Sequence, residues 1–117
     1  MARERAAKPL KPVTWVGSSL RDLRASPGDA QDEAGWQLFH VEQGDAPEDF
    51  KPMPSVGSGV YEIRIHTQTE HRLLYVARFA EAIYILHVFE KRTRKTSERD
   101  IRIGKRRYAQ VIADRGI

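Results

Sequence analysis

Basic side chains gather at one point of the chain, immediately after the apolar segment at residues 83–89 (IYILHVF). So many charged groups cannot be buried without partners, so they face either water or an anion. The abrupt change from an apolar strand to a basic cluster marks this strand end as the candidate functional site. The basic residues of the cluster are Lys91, Arg92, Arg94 and Lys95.

The net charge of +4 conceals two segments of opposite sign. Residues 18–50 hold two basic and eight acidic side chains, a balance of −6, whereas residues 91–107 hold nine basic and two acidic ones, a balance of +7. A positive field of this kind attracts phosphate backbones and speeds their encounter with the protein. The partner that binds this positive surface could be DNA, RNA or an acidic protein. The alternative is a solvated helix face without a partner.

With 117 residues, the chain has the length of one domain, which we expect over residues 13–117. Residues 1–12 are basic but lack the apolar core of a secretory signal, so they are predicted to form a flexible, solvated tail. No segment approaches the roughly 18 apolar residues that span a membrane, which excludes a membrane protein. The chain has no cysteine, as is typical of a cytoplasmic protein.

Hydrophobic periodicity predicts one strand and two helices in the first half of the chain, and three strands and a final helix in the second half. Ser18 and Ser19 offer an N-cap to the first helix, and Gly44 offers a C-cap to the second. The predicted elements are a strand at 13–16, helices at 20–26 and 29–43, a loop at 45–59, strands at 60–66, 72–78 and 83–89, and a helix from about residue 97.

This order predicts an α+β fold: two N-terminal helices packed on a small, mostly antiparallel sheet of about four strands, with a C-terminal helix. Strict alternation divides each strand into two faces. In the strand at 60–66, Glu62, Arg64 and His66 share one face. In the last strand, Tyr84, Leu86 and Val88 share one face, and Ile83, Ile85, His87 and Phe89 share the other.

Two helices carry side chains whose surroundings can be predicted. On the second helix, Trp36 and Phe39 are expected to pack in the core and His40 to lie on the surface. The C-terminal helix is expected to be capped by Thr96 or Ser97. Its outward side chains are predicted to be Arg99, Asp100, Arg102 and Arg106.

Three segments carry a resemblance to a known family: YEIR at residues 61–64, RLLYV at 72–76 and LHVFEKRTRKT at 86–96. In their order and separation, the chain resembles the RelE/ParE superfamily of toxins from bacterial toxin-antitoxin pairs. It is most similar to the HigB-like branch, which includes phage-derived members. The resemblance covers residues 13–113.

The resemblance implies an mRNA interferase, a toxin that enters the ribosomal A site and cuts the translated message by attack of a ribose 2′-oxygen on the adjacent phosphate. Such chemistry needs a base for the 2′-OH, positive charge at the transition state and an acid for the leaving 5′-oxygen. It implies no metal and no other cofactor. The implied partners are mRNA, the ribosome with its rRNA, and a cognate helix-turn-helix antitoxin that can form a heterotetramer with the toxin.

The resemblance also assigns catalytic roles by position. Arg64 and Arg72 match basic sheet positions and are expected to clamp phosphate, because an arginine fork holds two phosphate oxygens at once. For each, the alternative is a surface charge paired with a neighbouring acid. Lys91 and Arg92 match the basic residues just beyond the strand at 83–89. His87 is a candidate acid or base, with a satisfied core histidine as the alternative.

Contacts with RNA outside the reaction centre are expected from one aromatic and several basic residues. Phe89 either stacks on a base or closes the core. The basic residues, for which a solvated side chain is the alternative, are Arg94, Lys95, Arg99 and Arg102.

The chain departs from the family pattern at two points. Glu62 stands where some members have a basic residue, which makes the cleft less positive, and Tyr108 falls on a core stripe rather than matching a C-terminal tyrosine. The identity of the general base is therefore left unassigned. Two other functions are compatible with the fold: a ParE-like inhibitor of DNA gyrase that cuts nothing, and an inactive phage-derived copy that binds an antitoxin.

Overall fold

The computed structural model describes residues 9–116. Residues 1–8, which are most of the predicted tail, and residue 117 lie outside the described residues. Within the rest of that predicted tail, the Lys11 amide donates to the Glu42 carbonyl at 2.9 Å, and the Pro12 carbonyl accepts from the Ile83 amide at 2.8 Å. The backbone is therefore hydrogen-bonded to the domain from residue 11 onward.

Residues 9–116 form three helices and a five-stranded sheet with the strand order β1-β5-β4-β3-β2. β1 runs parallel to β5, and the other neighbouring strands are antiparallel, which confirms the predicted α+β class. The elements are β1 (Val13–Trp15), α1 (Ser19–Arg24), α2 (Gly28–Glu42), β2 (Phe50–Pro52), β3 (Val60–His66), β4 (Glu70–Val76), β5 (Ile83–Glu90) and α3 (Glu98–Arg115).

The strand β2 lies inside the segment that was predicted to be loop, so that prediction is wrong at residues 50–52. Phe50 pairs with Ile63, and Lys51 pairs with Glu62, at the free edge of the sheet. A proline cannot donate to a ladder, but the last residue of an edge strand tolerates it, as at Pro52. The added strand brings Lys51 onto the sheet beside Glu62.

The helices cover opposite faces of the sheet. α1 and α2 pack on the face that carries Ile63, Leu73, Tyr75 and Ile85. α3 packs on the other face through a second core cluster that includes Leu74, Val76 and Leu86, and we call this the α3 face. Because side chains alternate along a strand, the even-numbered residues of β3 and β4 belong to the α3 face.

A β-bulge in β5 overturns the predicted alternation of that strand. Leu74 pairs with His87 while Tyr75 pairs with Ile85, so Leu86 has no partner in the β4 ladder. An extra residue of this kind exchanges the faces of all residues beyond it. Val88 consequently packs with the α1 and α2 core, and Phe89 packs against the α3 cluster.

The aromatic residues of α2 are not in the core, which corrects the expectation for them. Trp36 is 50% exposed and Phe39 is 37% exposed, because the buried stripe of α2 runs through Ala30, Ala34, Leu38 and Val41 instead. His40 is half-buried and contacts the edge of the Trp36 ring, with 4.7 Å between the ring centroids.

α3 begins at a side-chain cap. The Ser97 Oγ accepts a hydrogen bond from the Asp100 amide at 3.1 Å, so Ser97 rather than Thr96 is the cap. Asp100 does not point outward as predicted, because its carboxylate is largely buried against His87. Within residues 9–116, no helix has both the length and the apolar content needed to cross a membrane.

Candidate functional site

Arg64, Arg72 and Phe89 occupy facing positions on three neighbouring strands. Arg64 pairs with Arg72 across β3 and β4, and Arg72 pairs with Phe89 across β4 and β5. All three belong to the α3 face, where Phe89 adjoins the core that α3 covers. The sheet therefore holds the two arginines side by side in a row with an aromatic ring, which we call the basic row. The strand register thus brings these three candidate site residues together.

Arg64 is the more accessible of the two arginines. Its side chain is 36% exposed, and its Nη1 lies 3.6 Å from the Asp49 carboxylate. The backbone around it is fixed, because the Arg64 amide donates to the Asp49 carbonyl at 2.8 Å and the buried Gln37 side chain donates to the Arg64 carbonyl at 3.0 Å. Arg64 therefore presents a cation at the surface from a rigid strand.

Arg72 is held inside the site. Its side chain is 8% exposed, and its Nη1 donates both to the Glu70 carboxylate and to the His71 carbonyl, each at 2.9 Å. Its Nε lies 3.7 Å from the Glu62 Oε1. A guanidinium in this environment supplies fixed positive charge beneath the surface, while Arg64 supplies it at the surface.

Glu62 is fully buried among these cations. Its Oε1 lies 3.9 Å from the Lys51 Nζ, and its Oε2 accepts a hydrogen bond from the Thr96 Oγ1 at 3.1 Å. A buried carboxylate is tolerated only when it is paired or hydrogen-bonded. Glu62 thus ties β2, β4 and the segment after β5 together as an internal counter-ion.

Lys91 extends the basic row beyond the end of β5. Burial lowers the pKa of its ammonium, the Glu62 carboxylate opposes that change, and the nearby positive charges of Arg72, Lys51 and Arg64 add to it. A lysine with a lowered pKa gives up its proton more readily than an ordinary surface lysine. Lys91 is therefore a candidate for proton transfer in the site.

His87 lies in the core rather than at the surface. Its Nε2 donates to the Asp100 Oδ1 at 2.7 Å, and its ring stacks on Phe89 with 4.8 Å between centroids. Burial lowers the pKa of the imidazole, and the Asp100 hydrogen bond only partly opposes it. His87 is therefore a core histidine that connects β5 to α3, but it is satisfied only at Nε2, because among the described residues its buried Nδ1 has no hydrogen-bond partner.

The remaining predicted basic residues lie on the outer surface, around the segment 91–97 and the first turns of α3. Arg92 is paired with Glu90 at 3.0 Å, and Arg102 is 3.8 Å from Glu98. Exposed pairs of this kind contribute little and leave the cations available to a polyanion. The exposed residues of this set are Arg92, Arg94, Lys95, Arg99 and Arg102.

Several charged residues of the site were not predicted from the sequence. Lys51 was assigned to a loop. The short segment at residues 50–52, which ends at Pro52, is the signal that could have identified Lys51 as part of an edge strand. Asp49 and Glu70 flank the two arginines, and both contact His66, which ends β3. Alternation predicted the face of His66 but not its partners, because these lie on other elements.

The chain matches a model of a known protein family. The family model described as "Phage derived protein Gp49-like (DUF891)" matches residues 21–109. The matched segment begins in α1 and ends within α3, so it includes every strand of the basic row. A search of the curated proteins finds no match.

Proposed function

The chain belongs to the phage-derived Gp49-like family, part of the RelE/ParE-like toxin-antitoxin grouping, and on that premise we propose that it is the toxin of such a pair and a metal-independent endoribonuclease. Its substrate is mRNA under translation in the ribosomal A site. The observation that carries this proposal is the basic row, in which Arg64, Arg72 and Phe89 stand side by side on three strands, with Lys91 immediately after the last of them.

The cations of the site have separate roles in the reaction. Arg64 binds the scissile phosphate from the surface, and Arg72 adds positive charge from within as the phosphorane-like transition state gains negative charge. The ribose 2′-oxygen forms a bond to phosphorus, its proton passes to a base, and the bond from phosphorus to the 5′-oxygen breaks. Lys91 donates the proton that the leaving 5′-oxygen needs.

The exposed cations on the segment 91–97 and α3 bind rRNA and the message, which brings the row to the A site. The family grouping implies an antitoxin as partner. We propose further that this antitoxin carries a helix-turn-helix domain and combines with the toxin in a heterotetramer in the cytoplasm.

The proposal is tested in a reconstituted translation reaction by mapping 5′ ends on a reporter message. Arg64→Ala should lower cleavage about a hundredfold, the usual effect of removing one transition-state contact. Arg24→Ala, which removes an exposed arginine of α1, is the matched control and should cleave like the wild type. Circular dichroism establishes that both variants are folded.

Three results would contradict the proposal. Equal cleavage of free and translated RNA would remove the ribosome from the mechanism. Intact messages together with gyrase-trapped DNA breaks would instead support a ParE-like inhibitor. Intact messages without DNA damage, but with antitoxin binding retained, would identify an inactive copy.

A further inference from the structure

An imidazole bridges two carboxylates at the edge of the basic row. His66 is the last residue of β3, and its side chain is 52% exposed. Its Nε2 lies 2.5 Å from the Asp49 Oδ2, and its Nδ1 lies 2.9 Å from both oxygens of Glu70. The bridge therefore connects the residue before β2 with the first residue of β4.

Each of the two carboxylates has an arginine of the basic row as its second partner. Asp49 contacts Arg64 through its other oxygen at 3.6 Å, and Glu70 contacts Arg72 at 2.9 Å. The five side chains form a continuous sequence of alternating charge, Arg64, Asp49, His66, Glu70 and Arg72. His66 lies at its centre, and its ring nitrogens contact the two carboxylates.

The geometry requires a proton on both ring nitrogens. A carboxylate accepts hydrogen bonds and cannot donate them when ionised, so a neutral imidazole would turn a lone pair toward one of the two carboxylates. The hydrogen bonds to Glu70 and Asp49 accordingly raise the pKa of His66, and the hydrogen bond from His66 is the main cause of a lowered pKa at Glu70.

We propose that His66 is a positioning residue for the phosphate-binding arginines, because its imidazolium shares Asp49 and Glu70 with Arg64 and Arg72. This inference rests on the proposed function of the row as an RNA site. When His66 loses its proton, the site loses one positive charge and the two carboxylates interact with the arginines alone. RNA affinity therefore falls as the pH rises through the pKa of His66.

The elements around the bridge contribute further charged groups. Glu33 on α2 reaches the site through Gln37, whose side chain also accepts a hydrogen bond from the Asp49 amide. The Lys91 amide donates to the Glu70 carbonyl at the end of β5. The charged groups that face the bridge are thus Asp49, Arg64, Glu70 and Arg72, and Glu33 is connected to it through Gln37.

The first measurement is an NMR titration of the free protein between pH 5.5 and 9 that follows the His66 ring and the Nε–H signals of Arg64 and Arg72. We expect the ring to titrate above the ordinary value for histidine and the arginine signals to change with the same midpoint. Asp49→Asn and Glu70→Gln should each lower that midpoint. Arginine signals that do not change as His66 titrates would overturn the proposal.

The second measurement is the affinity for a single-stranded 2′-O-methyl RNA, which binds but cannot be cleaved, over the same pH range. His66→Gln should weaken binding about fivefold at pH 6, the effect of one exposed charge contact, and should remove the pH dependence. His66→Lys, which keeps the charge, should restore the affinity without the pH dependence. His40→Gln on α2 is the control and should follow the wild type.

The two measurements separate the two proposals. If the arginine signals follow His66 but no RNA binds at any pH, the positioning role stands and direct binding of free RNA by the basic row falls. If RNA binds with the same pH dependence in His66→Gln as in the wild type, the RNA site stands and the positioning role is wrong.

Discussion

Glu62 lies fully buried beside Arg72, Lys51 and Lys91, and its carboxylate sets the electrostatics of the basic row. The sequence suggested that a glutamate at this position makes the cleft less positive. In the structure it instead keeps several cations close together, since like charges would otherwise repel one another. The same carboxylate opposes the fall in the pKa of Lys91 that burial causes.

Replacement of Glu62 by glutamine tests this role at the level of one residue. Glu62→Gln retains the shape of the side chain but leaves the buried Arg72 with less counter-charge, so the free energy of unfolding should fall by about 3 kcal/mol. The pKa of Lys91 should fall further, because Glu62 no longer raises it. The alkaline limb of the cleavage rate, where Lys91 loses the proton it donates, should therefore move to lower pH.

Urea unfolding and a pH–rate profile measure these two effects separately. Glu48→Gln, an exposed acid that accepts only a weak contact from Trp36 at 3.4 Å, serves as the control. An alkaline limb that stays in place in Glu62→Gln, or moves to higher pH, would contradict the role of Lys91 as the acid.

At the level of elements, α3 is joined to β5 by a short polar network inside the fold. His87 donates to the Asp100 Oδ1, and the Ser97 hydroxyl donates to the Asp100 Oδ2, both at 2.7 Å. Asp100 thereby contacts the cap of its own helix and the strand beneath it. The network fixes the N-terminal turn of α3 next to the segment 91–97, from which Thr96 reaches Glu62.

The pH dependence of stability should report this connection. The pKa of His87 is lowered by burial, so below the ordinary histidine value of about 6.5 the unfolded chain binds a proton that the folded chain does not. Stability therefore falls as the pH decreases through this range. His87→Gln cannot titrate, so its free energy of unfolding should approach that of the wild type on acidification from pH 7 to pH 5.

Denaturant unfolding at closely spaced pH values measures the difference between the two proteins. A difference that stays constant between pH 7 and pH 5 would contradict a neutral, buried His87. His71→Gln, which changes another buried histidine on the neighbouring strand, shows whether any effect is specific to the connection with α3.

The sequence predicted the elements with strong periodicity and missed those that depend on tertiary contacts. β3 was predicted with its observed bounds, and alternation placed Arg64 and Glu62 on the same face. The bulge at Leu86 could not be predicted, because the ladder with β4 creates it. β2 is only three residues long and owes its existence to pairing with β3, so its own composition favoured a loop.

The site was predictable to a similar extent. The basic residues were found by type and position, and their alignment across strands follows from the register. The burial of Arg72, the pairing of His87 with Asp100 and the bridge at His66 depend on residues far apart in the chain. Those contacts decide which cations are available, and local sequence does not encode them.

Across the whole molecule, α2 of the acidic segment (residues 18–50) and α3 of the basic segment (residues 91–107) lie on opposite faces of the sheet, while Arg107 of α3 donates a hydrogen bond to the Ser18 hydroxyl. α2 carries much of the acidic charge on the face opposite to α3, and its outer side holds the exposed Trp36 and Phe39. The exposed cations of the segment 91–97 and α3 lie on the other side. RNA should therefore approach the protein in one orientation.

This orientation predicts how the affinity for the 2′-O-methyl RNA depends on salt. Each phosphate neutralised on a single strand contributes about −0.7 to the slope of log affinity against log salt concentration. Arg94 and Lys95 are both exposed, so the Arg94→Ala, Lys95→Ala double variant should reduce the slope by about 1.4 if each contacts one phosphate. The Arg21→Ala, Arg24→Ala double variant removes the same charge from α1 and should leave the slope unchanged. Equal reductions in both double variants would mean that RNA responds to net charge alone, and the basic surface would then not define a binding orientation.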